Sequence, residues 1–119
     1  MLKANCDFSG SSKKFNVIRG TNGNDLLVGT KGRDLIYGYG GNDKIRGRGG
    51  DDILCGGSGN DDIAGGGGND KISGGPGKDT LLGNKGDDVL RGNGGRDHLR
   101  GGPGRDTVNG GPGKDDERS

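Results

Sequence analysis

The chain has 119 residues, of which 32 are Gly and only 24% are hydrophobic. Ordering a backbone costs about 1–2 kcal/mol per residue, and so few apolar side chains exclude an ordinary hydrophobic core as the main source of stability. The net charge of +1 gives no reason to expect nucleic acid or a membrane surface as a partner. No apolar run reaches the roughly 20 residues that a membrane-spanning helix needs.

The first part of the chain, residues 1–19, contains both phenylalanines, and its residues 1–15 lack the apolar stretch of a secretory signal. Asn16 and Ile18 stand nine residues before the first Asp and the first aliphatic residue of the repeats that follow, but the glycines of those repeats are missing here. We predict that 1–19 is an N-terminal capping segment, which closes the open end of a repeat domain formed by residues 20–119.

A nine-residue period fills residues 20–119. An Asp recurs every nine residues, with a Gly five positions before it and another Gly two positions before it. In all but the last copy, an aliphatic residue follows two positions after the Asp. A fixed short period indicates stacked structural repeats. The aspartates are Asp25, Asp34, Asp43, Asp52, Asp61, Asp70, Asp79, Asp88, Asp97, Asp106 and Asp115, and the glycines two positions before them are Gly23, Gly32, Gly41, Gly50, Gly59, Gly68, Gly77, Gly86, Gly95, Gly104 and Gly113.

Each repeat divides into a six-residue turn, whose positions 1 and 4 are Gly and whose position 6 is Asp, and a three-residue strand with the aliphatic residue in its middle. Nine residues cannot close a fold alone. With two repeats per coil, each residue lies over the one 18 positions earlier, about 4.8 Å away, and right-handed winding is expected for parallel crossovers. We therefore predict an all-β fold, a right-handed parallel β-roll solenoid with two nonapeptide repeats per coil and two short-stranded parallel sheets.

Stacked turns would place each Asp over the Asp of the next coil, beginning with Asp25 and Asp43. Like charges at this spacing repel, and a Ca²⁺ ion between them, which accepts six to eight oxygen ligands, would remove the repulsion. Two carboxylates and several turn carbonyls could supply those ligands. Two alternatives are a structural role for Asp as a turn former and direct neutralisation by cations within the turns, such as Lys31 and Arg33.

The repeats resemble the nonapeptide G-G-x-G-x-D-x-U-x of the repeats-in-toxin (hemolysin-type) calcium-binding family, and residues 65–73 and 74–82 match it throughout. The resemblance implies a β-roll that holds Ca²⁺ between stacked turns. The implied ligands are the eleven aspartates and carbonyls of their turn glycines, in particular those at position 4. It also implies a secreted protein whose roll orders once it meets calcium outside the cell. Position 2 departs from the family pattern at Thr21, Thr30, Tyr39, Arg48, Asn84 and Asn93, where the turn is expected to be less flexible.

We predict calcium ion binding by stacked Gly-rich turns, with Ca²⁺ driving the folding of a secreted repeat module by mass action. The alternatives are an extracellular structural or adhesive spacer, and an excised module of a larger secreted enzyme or toxin. We expect no enzymatic activity. The single histidine, His98, has no nucleophile or base beside it in the repeat and is expected on the surface.

Some apolar residues flank the aliphatic column and are expected on the outer face of one sheet, where Leu35, Tyr37 and Ile53 form a patch. We predict that the N-terminal segment covers this patch. Contact of the patch with a cell surface or with a domain of a parent protein is the alternative. The two cysteines, Cys6 and Cys55, are predicted to be either a disulfide that staples the N-terminal segment to this sheet or two free thiols.

Overall fold

The computed structural model describes residues 15–111, 113 and 116–118. In these ranges every regular element is a β-strand of three or four residues. A helix that could span a bilayer is not found among the described residues. The strands are β1 (Asn16–Arg19), β2 (Leu26–Val28), β3 (Asp34–Tyr37), β4 (Lys44–Arg46), β5 (Ile53–Cys55), β6 (Asp62–Ala64), β7 (Lys71–Ser73), β8 (Thr80–Leu82), β9 (Val89–Arg91), β10 (His98–Arg100), β11 (Thr107–Asn109) and β12 (Asp116–Arg118).

Successive strands alternate between two sheets. One sheet has the order β1-β3-β5-β7-β9-β11, and the other has the order β12-β10-β8-β6-β4-β2. All pairs are parallel, and each residue lies opposite the one 18 positions along the chain, as Leu27 lies opposite Ile45 and Ile36 opposite Leu54. The structure therefore confirms the predicted all-β roll with two repeats per coil.

The core is a double column of single aliphatic side chains. The middle residue of each strand points between the two sheets because neighbouring side chains of a strand point to opposite faces. Ile18, Leu27 and Val108, near the ends of the roll, are partly buried and pack against the column. The fully buried members, each with 0% exposure, are Ile36, Ile45, Leu54, Ile63, Ile72, Leu81, Leu90 and Leu99.

The strand pattern extends beyond the glycine-rich repeats at both ends. Strand β1 pairs with β3 and places Ile18 opposite Ile36, so residues 16–19 belong to the sheet. At the other end, Glu117 takes the place of the aliphatic residue opposite Leu99 and accepts a hydrogen bond from the N–H of Gly110 at 2.6 Å. Residues 1–14 lie outside the described residues, and for them the capping role stays a prediction.

A second, smaller apolar cluster lies on the outer face of the β1-to-β11 sheet. Ile53 is 8% exposed and Cys55 is 4% exposed, and Phe15, Leu35 and Tyr37 pack against them. Phe15 is the first described residue, so at least this residue of the N-terminal segment contacts the patch, in the manner that the sequence predicted.

The state of the cysteines differs from the free-thiol alternative. Cys55 is disulfide-bonded. The other cysteine of the chain, Cys6, lies outside the described residues. His98 is exposed, as expected from the sequence.

Candidate metal centre

The turns from Gly38 onward share one backbone conformation, in which positions 2 and 4 have positive φ. In the turn of residues 65–70 the angles are 85° at Gly66 and 91° at Gly68. Position 4 requires Gly for a second reason, because a Cβ at Gly68 would meet the carbonyl oxygen of Gly50 in the previous coil. Tyr39, Arg48, Asn84 and Asn93 adopt the same conformation at position 2, with φ of 68–73°, although such values are uncommon for residues with a side chain.

The repeat aspartates lie beneath these turns, stacked as the sequence predicts. From Asp34 to Asp97 each is at most 2% exposed. One carboxylate oxygen, Oδ1, accepts a hydrogen bond from the backbone N–H of the Asp in the previous coil. Examples are Asp25 N to Asp43 Oδ1 at 2.8 Å and Asp61 N to Asp79 Oδ1 at 2.7 Å. The carboxylate thus fixes the register between coils through one oxygen and leaves the other oxygen for a different partner.

The second carboxylate oxygen, Oδ2, is buried without a hydrogen-bond partner along most of the roll. Leaving a buried acceptor unsatisfied carries its full desolvation penalty, which is larger when the group is charged. A run of such atoms in equivalent positions indicates a partner common to all the turns. The residues concerned are Asp43, Asp52, Asp61, Asp70, Asp79, Asp88 and Asp106.

Each of these oxygens borders a small space that only glycine leaves open. A Cβ added at Gly38 would lie 2.5 Å from Asp43 Oδ2 and 2.6 Å from the carbonyl oxygen of Gly56, which belongs to the next coil. At Gly47 the corresponding distances are 2.6 Å to Asp52 Oδ2 and 2.8 Å to the carbonyl oxygen of Gly65. Oxygens from two successive coils therefore converge around the glycine at position 1.

The carbonyl oxygens that border this space come from position 1, and the role of the position-4 carbonyls as ligands stays a prediction. The position-4 carbonyls instead face the position-4 glycine of the next coil, as Gly50 faces Gly68. The signal for position 1 was present in the sequence, since every turn has Gly there. What the sequence did not reveal is which of the two glycine columns lies beside the carboxylate.

The donor set consists of hard oxygen atoms from carboxylates and backbone carbonyls. Within the described ranges, no three His, Cys, Asp or Glu side chains converge on a common point, so a site built here must draw on the main chain. Such oxygen-rich sets of flexible geometry suit Ca²⁺, whereas Zn²⁺ sites are dominated by Cys and His.

Residues 19–54, 56–90 and 82–116 match the family model of the RTX calcium-binding nonapeptide repeat. The chain belongs to this family. Its stacked turns are therefore calcium-binding repeats, and the buried aspartates fit that role. Proteins of the RTX family are typically secreted. No curated protein and no solved structure matches the chain significantly.

Burial under the RTX turns makes the charged carboxylates unfavourable in the absence of a cation. Desolvation is the main cause, and it raises the pKa of Asp52 and Asp61 to about 7, of Asp70 to about 8 and of Asp79 to about 9. The backbone hydrogen bond from the previous coil lowers each pKa, and the charge of the Asp in that coil raises it. A proton or a cation must therefore neutralise the stack when the roll is folded.

Lysine and arginine side chains in the RTX turns do not contact the Oδ2 atoms of the described repeat aspartates from Asp43 to Asp88, which have no hydrogen-bond partner. The ion pair of Arg46 with Asp62, at 3.4 Å, lies outside the turns. Lys114 lies outside the described residues. The turn cations that the structure shows as exposed are Lys31, Arg48, Lys78, Lys85, Arg96 and Arg105.

A second ladder of side chains, which the sequence analysis did not identify, runs along turn position 5. Asn24 Oδ1 accepts from the N–H of Asn42 at 2.7 Å, and Asn42 Oδ1 accepts from the N–H of Asn60 at 2.8 Å. In this ladder the N–H donor lies one coil after the side-chain acceptor. In the hydrogen bonds to Asp Oδ1, the N–H donor lies one coil before it. The signal in the sequence is Asn at intervals of 18 residues.

The first two RTX turns differ from the others because their own Thr residues satisfy the Asp carboxylates. The N–H of Thr21 donates to Asp25 Oδ2 at 2.7 Å, and the N–H of Thr30 donates to Asp34 Oδ2 at 2.7 Å. The predicted ligands from Asp25 to Asp106 are therefore stacked along the roll, but they have two kinds of surroundings. Asp115, the last predicted ligand, lies outside the described residues.

Proposed function

We propose that calcium binding drives the folding of this RTX module. The observation that carries the proposal is the run of buried Oδ2 atoms without hydrogen-bond partners between Asp43 and Asp88. These carboxylates meet the carbonyls of the next coil only when the roll is wound, so the folded chain offers sites that the unfolded chain does not. An ion that binds only the folded state stabilises it by about 2.7 kcal/mol per site at a hundredfold excess over the Kd.

We further propose that the module works outside the cell. The typical secretion of RTX proteins supports this. The disulfide bond of Cys55 also supports it, because disulfides form and persist mainly in oxidising compartments. Calcium sites of extracellular modules bind in the range of about 10⁻⁴–10⁻³ M, and at such affinities the chain would load calcium after export.

We propose a binding and folding module and not an enzyme. The acidic side chains repeat along the roll in equivalent turns, and each is held by the backbone of the previous coil. Repetition of one arrangement favours the uptake of several identical ions, whereas catalysis depends on one distinct set of groups in named roles.

Calcium titration of the full chain, followed by circular dichroism and calorimetry on the same sample, tests the folding role. We expect a cooperative gain of β-sheet signal with Ca²⁺. We expect a much weaker response to Mg²⁺ at equal concentration, since Mg²⁺ demands octahedral geometry and keeps its water. Identical spectra and identical melting of chelator-treated and calcium-saturated protein would overturn the proposal.

A further inference from the structure

The two N-terminal turns, residues 20–25 and 29–34, have a backbone conformation of their own. Position 2 has positive φ in the turns that follow, with 70° at Tyr39 and 85° at Gly57, but neither Thr21 nor Thr30 has positive φ. Thr is β-branched, and a β-branched residue in that region is a genuine outlier. A Thr at position 2 therefore selects a different turn.

The hydroxyl and the N–H of each Thr form hydrogen bonds within its own turn. Thr21 Oγ1 accepts from the N–H of Gly23 at 3.0 Å and lies 3.0 Å from Asp25 Oδ1, to which it donates. The N–H of Thr21 reaches the other carboxylate oxygen, Oδ2, at 2.7 Å. Thr30 makes the same three bonds, at 3.1 Å from Gly32, 3.0 Å to Asp34 Oδ1 and 2.7 Å to Asp34 Oδ2.

The Asp side chains of these turns occupy the same place as those of the later turns. Asp34 is 0% exposed, and its Oδ2 borders the space at Gly29 together with the carbonyl oxygen of Gly47 in the next coil. The difference is the partner of Oδ2, which is an N–H of the same turn in Asp34 and no protein group in Asp43 or Asp52. Asn16 Nδ2 adds a further hydrogen bond to Asp34 Oδ1 at 3.2 Å.

We propose that Thr21 and Thr30 replace calcium in the first two turns and thereby set the number of ions that the roll binds. Their hydrogen atoms lie where a cation would face Asp25 and Asp34, so an ion could enter only after both bonds to the carboxylate are broken. Of the nine stacked Asp pairs that the repeat spacing provides, the two that begin with Asp25 and Asp34 bind no calcium. At most seven ions bind per chain. The inference rests on the calcium-dependent folding proposed above and assigns the choice between ion and hydroxyl to turn position 2.

The decisive experiment compares the wild-type chain with the double variant T21G/T30G, which restores Gly at position 2 of both turns. Equilibrium dialysis against radiolabelled Ca²⁺ at saturation counts the bound ions. We expect the double variant to bind two more ions than the wild type. We expect the control T21S/T30S, which keeps both hydroxyls, to bind the wild-type number. Equal counts for the wild type and T21G/T30G would overturn the inference, and so would failure of T21G/T30G to fold in saturating calcium.

The reverse exchange tests the same rule inside the roll. Asn84 occupies position 2 with φ of 68°, in the turn whose Asp88 Oδ2 has no partner. Asn84→Thr should remove one ion from the count, whereas the control Asn84→Gly should leave the count unchanged. An unchanged count for Asn84→Thr would contradict the inference. Failure of the proposed function has a different signature, because the wild type alone would then fold identically with and without calcium.

Discussion

Replacement of Asp70 by Asn should change the stability of the roll with opposite sign in the absence and in the presence of calcium. Asp70 is 1% exposed. Its Oδ1 accepts from the N–H of Asp52 at 2.9 Å, while its Oδ2 has no partner. The amide oxygen of Asn can keep the bond to Asp52, and its NH₂ group replaces the unpartnered oxygen. The substitution therefore removes the charge and keeps the contact that sets the register.

The magnitude follows from the raised pKa of Asp70, which is about 8 in place of the ordinary 3.8. At pH 7 the protonated form of this carboxyl is therefore favoured in the calcium-free roll. The gap between 3.8 and 7 corresponds to at most about 4 kcal/mol at 1.36 kcal/mol per unit. Asp70→Asn should stabilise the calcium-free roll by up to that amount. With calcium, the loss of at least one site should remove about 2.7 kcal/mol at a hundredfold excess over the Kd.

Circular dichroism measures both quantities, with trimethylamine oxide titration for the calcium-free chain and guanidinium unfolding for the calcium-loaded chain. Asp62→Asn is the matched control, because its side chain is 45% exposed and pairs with Arg46 outside the turns. Exposed ion pairs contribute about 0–1 kcal/mol, so this control should have a small effect of the same sign under both conditions. Equal destabilisation by Asp70→Asn with and without calcium would refute the reasoning, since the buried charge would then carry no penalty.

Three further predictions concern the pH dependence of folding, the glycine beside the carboxylate and the aliphatic column of the core. Burial raises the pKa of interior repeat aspartates in the folded state, to about 7 for Asp52 and about 9 for Asp79. Because the folded chain holds these protons more tightly than the unfolded chain, protonation stabilises the calcium-free roll. This contribution is fully present below about pH 4 and is lost as pH rises through 7 to 9. A calcium-free chain followed by circular dichroism should therefore lose structure between pH 6 and 9, and a flat profile would contradict this. Gly65→Ala places a Cβ against Asp70 Oδ2 and should abolish calcium binding in its turn, as measured by calorimetry. The control Gly67→Ala, whose Cβ would meet nothing within 4 Å, should bind calcium normally. Equal titrations of the two variants would argue against a calcium site beside the position-1 glycine. Leu81→Ala should lower the free energy of unfolding of the calcium-loaded chain by about 2–5 kcal/mol, as measured by guanidinium unfolding. A decrease below 1 kcal/mol would show that the aliphatic column contributes little.

The sequence predicted the coil of the roll because one spacing determines both the strands and the register. Once two repeats form a coil, Leu27 must lie opposite Ile45 and Ile36 opposite Leu54, and the structure has these pairs. The phase kept by Ile18 outside the glycine repeats also has a counterpart, since β1 joins the sheet. Period alone carries this information, because side chains in a strand alternate whatever their identity.

The interior of the turns could not be predicted to the same depth, because it depends on backbone angles and not on spacing. From the sequence, Thr30 and Tyr39 look alike, as two residues that replace Gly at position 2. In the structure Tyr39 adopts the positive φ of a glycine turn, whereas Thr30 forms hydrogen bonds that close a different turn. The same limit applies to the position-1 glycines, because which glycine column lies beside the carboxylate depends on the turn conformation.

The two oxygens of each repeat Asp explain why calcium dependence and coil register cannot be separated in this fold. Oδ1 holds the N–H of the previous coil, and that bond buries the carboxylate, so Oδ2 is buried with it. Asn could make the first contact equally well and would need no ion, yet position 6 is Asp in all eleven turns. A thin aliphatic column with one side chain per strand leaves the turns to determine whether the roll winds. With Asp at position 6, winding becomes conditional on a cation or a proton, and Thr at position 2 removes that condition where the roll begins.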